Sequence, residues 1–446
     1  MSKYESYKPI EELWLTQIPD SWEDIKIKFL FSERSEKGYP DEPLLVASQN
    51  MGVVPKDVYG NRTVEATKDL HLLKLVRVGD FVISLRSFQG GIEYAYYQGI
   101  ISPAYTIMVP NQKIVPGYFR YLAKSRLFIE LLQLCVTGIR EGQNIDYGKL
   151  KNHLIPVPPR KEQDHIVRYL DWHTSKINRL IAAKKQQIQV LREQQQKLIC
   201  EVIIKGLHSD VDYKDGHIAW IGDIPRHWSA IRCKYLFRER DERSKEGAET
   251  HLSMSQKYGL VPDSQLDERR MLSETYAGGK LCHQDDLVLN RLKAHLGVFA
   301  LAPQFGVISP DYTVLIPNTE RIIPSFGEMV LKSALCRREL RVRVRGIIEG
   351  FWRLYTDDFY TIYLPVPPIE EQKEIMQYVD AQAKMTAALE NALNREIELL
   401  HELRTRLISD VVTGQIDVRN IEVPDFELVE EAADEAEESE DEMEVE

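Results

Sequence analysis

Five short segments of this chain occur twice, in the same order. Trp14-x3-Ile18-Pro19-x2-Trp22 returns as Trp220-x3-Ile224-Pro225-x2-Trp228. SQNMGVVP at 48–55 returns as SQKYGLVP at 255–262, and ISPAYTIMVP at 101–110 as ISPDYTVLIP at 308–317. IPVPPRKEQ at 155–163 returns as LPVPPIEEQ at 364–372, and Lys28, Leu30 and Phe31 return as Lys234, Leu236 and Phe237. The offsets run only from 206 to 209. Such a constant offset means one structural module used twice, so whatever the first half folds into, the second half folds into as well.

Each copy divides at its Pro-Pro pair. Before it lie about 150 residues of short apolar runs broken by Gly, Pro, Asn and Ser, the pattern of a mixed domain. GDFVISL at 79–85 and DDLVLNRL at 285–292 predict strands, and Tyr118 to Leu134 predicts a helix. After Pro159, residues Ile166, Leu170, Ile177, Leu180, Leu191, Leu198 and Val202 fall on three- and four-residue steps, interrupted by His173, Lys184 and Gln195. After Pro368, residues Ile375, Val379, Ala383, Leu389, Leu393, Ile397, Leu400, Leu407 and Val411 do the same. Seams this long, with no internal Gly or Pro, predict two coiled-coil helices that pair with each other. If a twofold axis relates the modules, the pair is antiparallel. Gly206 and Gly414 are the expected stops. The fold class is therefore α+β: two similar mixed domains separated by two long helices, in a pseudo-twofold repeat. The boundaries are 1–159 and 207–368 for the domains, 160–206 and 369–414 for the helices, and 415–446 for a C-terminal extension.

The formal charge of −12 belongs to one end of the chain. Residues 421–446 hold fourteen Asp/Glu and no Lys/Arg, while the rest carries 57 basic against 55 acidic side chains. A nearly neutral body is compatible with a basic face, so the low isoelectric point does not exclude a nucleic-acid partner. Fourteen acids beside a single aromatic, Phe426, predict disorder after about Pro424. Five scattered cysteines without a C-x-x-C pair argue against disulfides and a cysteine zinc site. No apolar run reaches membrane-spanning length and the N-terminus has no signal-like apolar stretch, which makes the cytoplasm the expected location.

Motifs of catalysis are missing. There is no phosphate-cradling G-x-x-x-x-G-K-[ST], no G-x-G-x-x-G and no H-E-x-x-H. Neither catalytic nor metal-binding residues are expected. Polar residues concentrate instead behind the strand that ends near Ser84 and its counterpart ending near Asn290. Asp80 and Gly91 frame the first stretch, and Asp286 and Gly297 frame the second at an offset of 206. Between them the residues differ. Ser84, Arg86, Ser87 and Gln89 in one copy, and Asn290, Arg291, Lys293 and His295 in the other, are side chains of the kinds that pair with base edges. The same loops also suit phosphate contacts, or solvated turns with structural glycines.

The ordered set of motifs resembles the specificity subunit of type I restriction–modification systems over about residues 14–420. The resemblance rests on I-P-x-x-W opening each half, on GQNIDYGKLKNHLIPVPPRKEQ at 142–163, and on LPVPPIEEQ at 364–372. It implies a non-catalytic reader of double-stranded DNA. Each mixed domain would be a target recognition domain for one half of a bipartite, asymmetric site. The helices would be spacers and docking surfaces for two methyltransferase subunits, with motor–nuclease subunits joining for cleavage. S-adenosylmethionine, ATP and Mg would be used by those partners and none of them by this chain. A coiled-coil scaffold joining two protein-binding domains is the alternative. An enzyme fused to a reader is disfavoured, because no stretch is left to house a catalytic domain. For partner docking, Ile181, Ile188, Ile199 and Ile203 add apolar surface beside the first seam, with Met385 and Leu403 as counterparts on the second.

Overall fold

A computed structural model describes residues 2–59, 69–85, 87–137, 144–208, 210–218, 220–255, 258–265, 276–346 and 352–429. The chain forms two compact units. Unit 1 comprises residues 1–186 and 393–446, and unit 2 comprises residues 187–392. The long helices are α1, Arg160–Lys205, and α2, Ile369–Val412. Each unit takes the N-terminal half of one helix and the C-terminal half of the other. Among the described residues no helix is long and apolar enough to cross a membrane.

In unit 1 a four-stranded antiparallel sheet runs in the order Phe31–Arg34, Thr106–Pro110, Phe81–Ile83, Glu93–Tyr94. In unit 2 the order is Phe237–Arg240, Tyr312–Pro317, Leu287–Asn290, Phe299–Leu301. The repeat in sequence is thus a repeat in topology. Phe81, Phe119 and Phe128 meet edge-on in the first core, and Phe237, Phe299 and Phe359 cluster in the second. The single helix expected over Tyr118–Leu134 is two, Pro116–Ala123 and Arg126–Leu134. Ser125 breaks it: its hydroxyl caps the second helix by accepting from the Phe128 N–H at 3.4 Å.

The repeated motifs converge where each domain meets its helices. The Trp22 indole N–H donates to Glu162 at 3.0 Å, and the Trp228 indole N–H to Glu371 at 3.0 Å. The neighbouring glutamine ties down the backbone. Gln163 accepts from the Val115 N–H at 2.7 Å and donates to the carbonyls of Lys113 and Pro158. Gln372 accepts from the Ile323 N–H at 2.8 Å and donates to the carbonyls of Arg321 and Pro367. The glycine that ends the other helix lands on the same tryptophan. Gly414 has φ +75°, and a Cβ there would lie 2.4 Å from Pro19 and 3.3 Å from Trp22. Gly206 has φ +70°, and a Cβ would lie 3.0 Å from Trp228. Both the left-handed backbone and the lack of space demand glycine.

The helix seams differ from expectation by one residue. On α1 the shielded positions are Leu170, Thr174, Ile177, Ile181, Lys184, Ile188, Leu191, Gln195, Leu198 and Val202, an unbroken alternation of four- and three-residue steps. On α2 they include Thr386, Glu390, Leu393, Ile397, Leu400, Arg404, Leu407 and Val411. Leu180 and Leu389, expected in the seams, are exposed. Pairing is antiparallel within each unit: Asn178 meets Arg404 and Lys184 meets Glu396 in unit 1, and Arg192 meets Glu390 in unit 2. Ile181, Ile188 and Ile203 are buried and Ile199 is half-buried, so the surface expected to receive partners is largely interior. Two adjacent apolar residues leave the register of a seam open, and the facing helix decides it.

The C-terminal extension is placed through Val429 along the outside of α1 in unit 1, and the rest of the acidic tail, 430–446, lies outside the described residues. Asp417 pairs with Ser2, Ile421 and Val423 pack on the first core, and Val429 is bonded to Ser175 and Asn178.

Gln163→Ala and Gln372→Ala each strand one N–H and two carbonyls that are buried or partly buried. Each stranded buried group costs about 1–3 kcal/mol. Urea denaturation should show unit 1 destabilised by the first change and unit 2 by the second, with conservative Gln163→Glu recovering only the acceptor.

Candidate nucleic-acid interface

The strand Phe81–Ile83 and its counterpart Leu287–Asn290 are each entered from a tight turn built on a buried carboxylate. Asp80 accepts from Arg34 at 3.0 and 3.2 Å and from the Arg77 N–H at 2.8 Å. Asp286 accepts from Arg240 at 2.8 and 3.3 Å and from the His283 N–H at 2.8 Å. The aspartates that frame both stretches therefore brace the sheet from inside. So do the glycines. A Cβ at Gly91, φ +89°, would lie 2.3 Å from the Ala123 carbonyl oxygen, and one at Gly297, φ +80°, would lie 2.7 Å from the Arg337 side chain. The close approach these glycines permit is to the protein's own helices.

The eight candidate side chains divide sharply. Ser84 and Ser87 are buried; the Ser87 hydroxyl accepts from the Ser84 N–H at 2.9 Å and lies 3.3 Å from the Ser84 hydroxyl. Asn290 folds its turn, accepting from the N–H groups of Leu292 and Lys293. Arg291 is a strut: its Nε–H donates to Thr313 at 2.8 Å, its terminal nitrogen lies 3.8 Å from Glu239, and its carbonyl accepts from Leu354. Gln89 is exposed at the end of the short helix Ser87–Gly90. Lys293 is half-buried at the N-cap of Ala294–Leu296, the short helix that contains His295. Arg86 and the side chain of His295 lie outside what the structure describes.

A second loop, passed over as a reader in the sequence, joins this turn. The repeated SQxxGxVP segment is a hairpin in both units, Leu45–Ser48 with Gly52–Pro55 and Leu252–Ser255 with Gly259–Pro262. In unit 1 its tip reaches the Ser87–Gly90 helix, where a Cβ on Gly90 would lie 2.7 Å from the Gln49 side chain. Lys124 clamps the two: its ammonium donates to the carbonyls of Gln49 and Gly90 at 3.1 and 2.9 Å and to Glu93 at 2.7 Å. Glu93 is buried, and its second oxygen has no hydrogen-bond partner among the described residues. Burial pushes its carboxyl up to about 7, against the pull of Lys124. The repetition of SQxxGxVP was the available signal; only folding shows that it lies beside the turn. Unit 1 therefore presents two turns, one tipped by Gln49 and Asn50 and one by Gln89, held together from below by an ammonium.

This architecture is that of a duplicated sheet-and-turn binding protein with paired helical arms. The family described as "Type I restriction modification DNA specificity domain" matches residues 22–190 and 272–399. The chain belongs to that family. It is 21% identical to the type I restriction enzyme MjaVIII specificity subunit of Methanocaldococcus jannaschii, over 94% of this chain and 98% of the relative. It is 23% identical to the specificity subunit assigned to the type I restriction enzyme MjaX of the same organism, with the same coverage. A solved chain from a study of assembly and conformational transition in a type I R-M system superposes with a TM-score of 0.63 at 15% identity, covering 90% of this chain and 99% of that one. The protein is a DNA specificity subunit of a restriction–modification complex, a class whose enzymatic activities lie in partner subunits.

Glu93 gives the site a pH signature. Its folded pKa lies above the ordinary 4.5, so the folded protein retains a proton that the unfolded chain releases. The stabilisation is complete below pH 4.5 and is lost as pH rises through about 7. Glu93→Gln should flatten the stability of unit 1 across that window. Parallel curves for wild type and variant in pH-dependent denaturation would exclude this assignment.

Proposed function

We propose that each unit reads one half of a bipartite, asymmetric DNA site, and that the helices carry two methyltransferase subunits. The observation that carries the first part is one sheet topology holding turns of different composition. The frame is common to both units: Asp80 and Asp286, Gly91 and Gly297, Arg34 and Arg240 occupy equivalent places. The turn residues differ, as they must if the halves of the target differ. In unit 1 we assign base contact to Gln89 and Arg86, with Gln49 and Asn50 on the hairpin tip. In unit 2 we assign it to Lys293 and His295, with Arg291 bracing the turn. Amide side chains make bidentate contacts to adenine, and cationic ones to guanine.

Docking follows the exposed apolar residues rather than the buried isoleucines. Leu180, Leu399 and Leu403 are exposed on the helical arms of unit 1, and Val190, Met385 and Leu389 on those of unit 2. Leu180 and Leu389 are equivalent in the repeat, as are Val190 and Leu399, all at an offset of 209. Each of the six immediately precedes a seam residue, which places them on one side of the pair in each unit. An apolar stripe maintained in both copies fits a partner that binds twice. Those methyltransferase subunits would use S-adenosylmethionine, and the motor–nuclease subunits ATP and Mg.

Methylome sequencing of a host with and without the gene should reveal one bipartite methylated motif. Gln89→Ala should relax preference in one half only, at a cost of about 1–3 kcal/mol in binding. Equal loss on specific and scrambled duplexes would make it a phosphate contact. Leu180→Glu with Leu403→Glu should reduce the methyltransferase content of the purified complex from two copies to one, as read by native mass spectrometry. Retention of both copies would remove these residues from the docking surface.

A further inference from the structure

The segment after α2 is attached to α1 by contacts that only one of the two helices can make. In unit 1, Arg168 pairs with Asp425 at 3.0 Å and Arg179 with Glu427 at 3.2 Å. The Val429 N–H donates to the Ser175 hydroxyl at 3.0 Å, and Asn178 donates to the Val429 carbonyl at 2.9 Å. His165 is bonded to the Val418 carbonyl at 2.8 Å. At the repeat-equivalent positions of α2 stand Gln377, Lys384, Ala387 and Ala388 in place of Arg168, Ser175, Asn178 and Arg179. The receiving face is therefore a feature of α1 alone.

That face is cationic. Arg168 and Arg179 lie three turns apart on one stripe of the helix, with Lys176 beside them over the Trp172 ring at 3.6 Å. Both arginines stay about half-exposed with the segment in place, while Asp425 and Glu427 are almost fully exposed. Exposed ion pairs of this kind are weak and screened by salt, so a polyanion competes with them readily. The sequence that continues from Val429 adds eleven further Asp/Glu in residues 430–446, with no Lys/Arg. A surface with spaced guanidinium and ammonium groups is suited to a phosphate backbone.

We propose that Arg168, Lys176 and Arg179 form a sequence-independent contact surface for the phosphates of duplex DNA, and that residues 425–429 cover it in the free subunit. The proposal rests on the reading of this chain as a DNA-binding subunit. Sequence recognition stays with the turns, and the segment sets how strongly the subunit holds DNA that lacks its target. Covering the surface lowers unproductive binding, and duplex DNA displaces the cover as it engages.

The test compares the full chain, a chain ending at Pro424, and the same shortened chain carrying Arg168→Gln and Arg179→Gln. Ending at Pro424 leaves Ile421 and Val423 packed on the core. The probe is a fluorescent duplex without the methylation target, titrated at low and near-physiological salt. Shortening should tighten binding about tenfold at low salt and steepen the salt dependence, since each added phosphate contact adds about 0.9 to the slope. The double substitution should abolish the gain. No gain on shortening overturns the proposal, as does a gain that survives the substitutions, because the tail would then act through its overall charge. Unchanged DNA binding with loss of a methyltransferase subunit from the complex would make the face a protein contact and also overturn it. Binding of the target duplex, measured alongside, reports separately on the turns: its loss in the full chain would strike the DNA-reading assignment itself.

Discussion

The hydrogen bond from a buried indole to a buried glutamate is the interaction on which each unit depends. Trp22 with Glu162, and Trp228 with Glu371, join the opening of a domain to the first turn of a helix. A carboxylate out of water needs donors, and here Tyr4 or His227 supplies the second one. The adjacent glutamine satisfies three backbone groups of the same junction, and the terminal glycine of the other helix closes over the tryptophan. Loss of the glutamine strands those backbone groups, and any side chain in place of the glycine meets the tryptophan. This explains why I-P-x-x-W and P-P-x-x-E-Q recur together: they are two sides of one contact.

Charge then distinguishes two helices that the repeat would otherwise make alike. α1 carries ten Lys/Arg against five Asp/Glu, and α2 carries five against nine. Each unit brings a segment of one beside a segment of the other, with Lys184 facing Glu396 and Arg192 facing Glu390. Each exposed pair is worth little. Their common sign favours α1 with α2 over either helix with its own copy, a matter of specificity more than of stability. The same excess of positive charge on α1 is what the acidic C-terminal segment engages.

In the binding units, rigidity and variation are assigned to different residues. Asp80 and Asp286 brace the strands at their entry, and the glycines at 91 and 297 fit the turns behind them against the domain's own helices. The exposed tips carry the differences between copies. A DNA specificity subunit needs this separation, because its target can then change without loss of the fold.

Much of the architecture was legible in sequence, because it depends on periodicity and on residues with unusual backbone needs. The duplication, the two long helices between Pro-Pro and Gly and the α+β class follow from order and spacing, and the family from the resemblance of its repeated motifs. Register did not: Leu180 and Ile181 are equally apolar, and only the facing helix buries one and exposes the other. Nor did the division of polar residues behind the strands into struts and exposed tips. Ser87, Asn290 and Arg291 have the chemistry of readers, yet the structure commits their hydrogen bonds to Ser84, to a turn and to Thr313. The docking of residues 425–429 was likewise hidden, since the partners that hold them, the Ser175 hydroxyl as acceptor and Asn178 and Arg179 as donors, lie some 250 residues away in the chain. Sequence alone determined which residues repeat and with what period, because those are local properties. Tertiary structure alone decided which polar groups are already satisfied, because a hydrogen bond depends on what folding brings within about 3 Å.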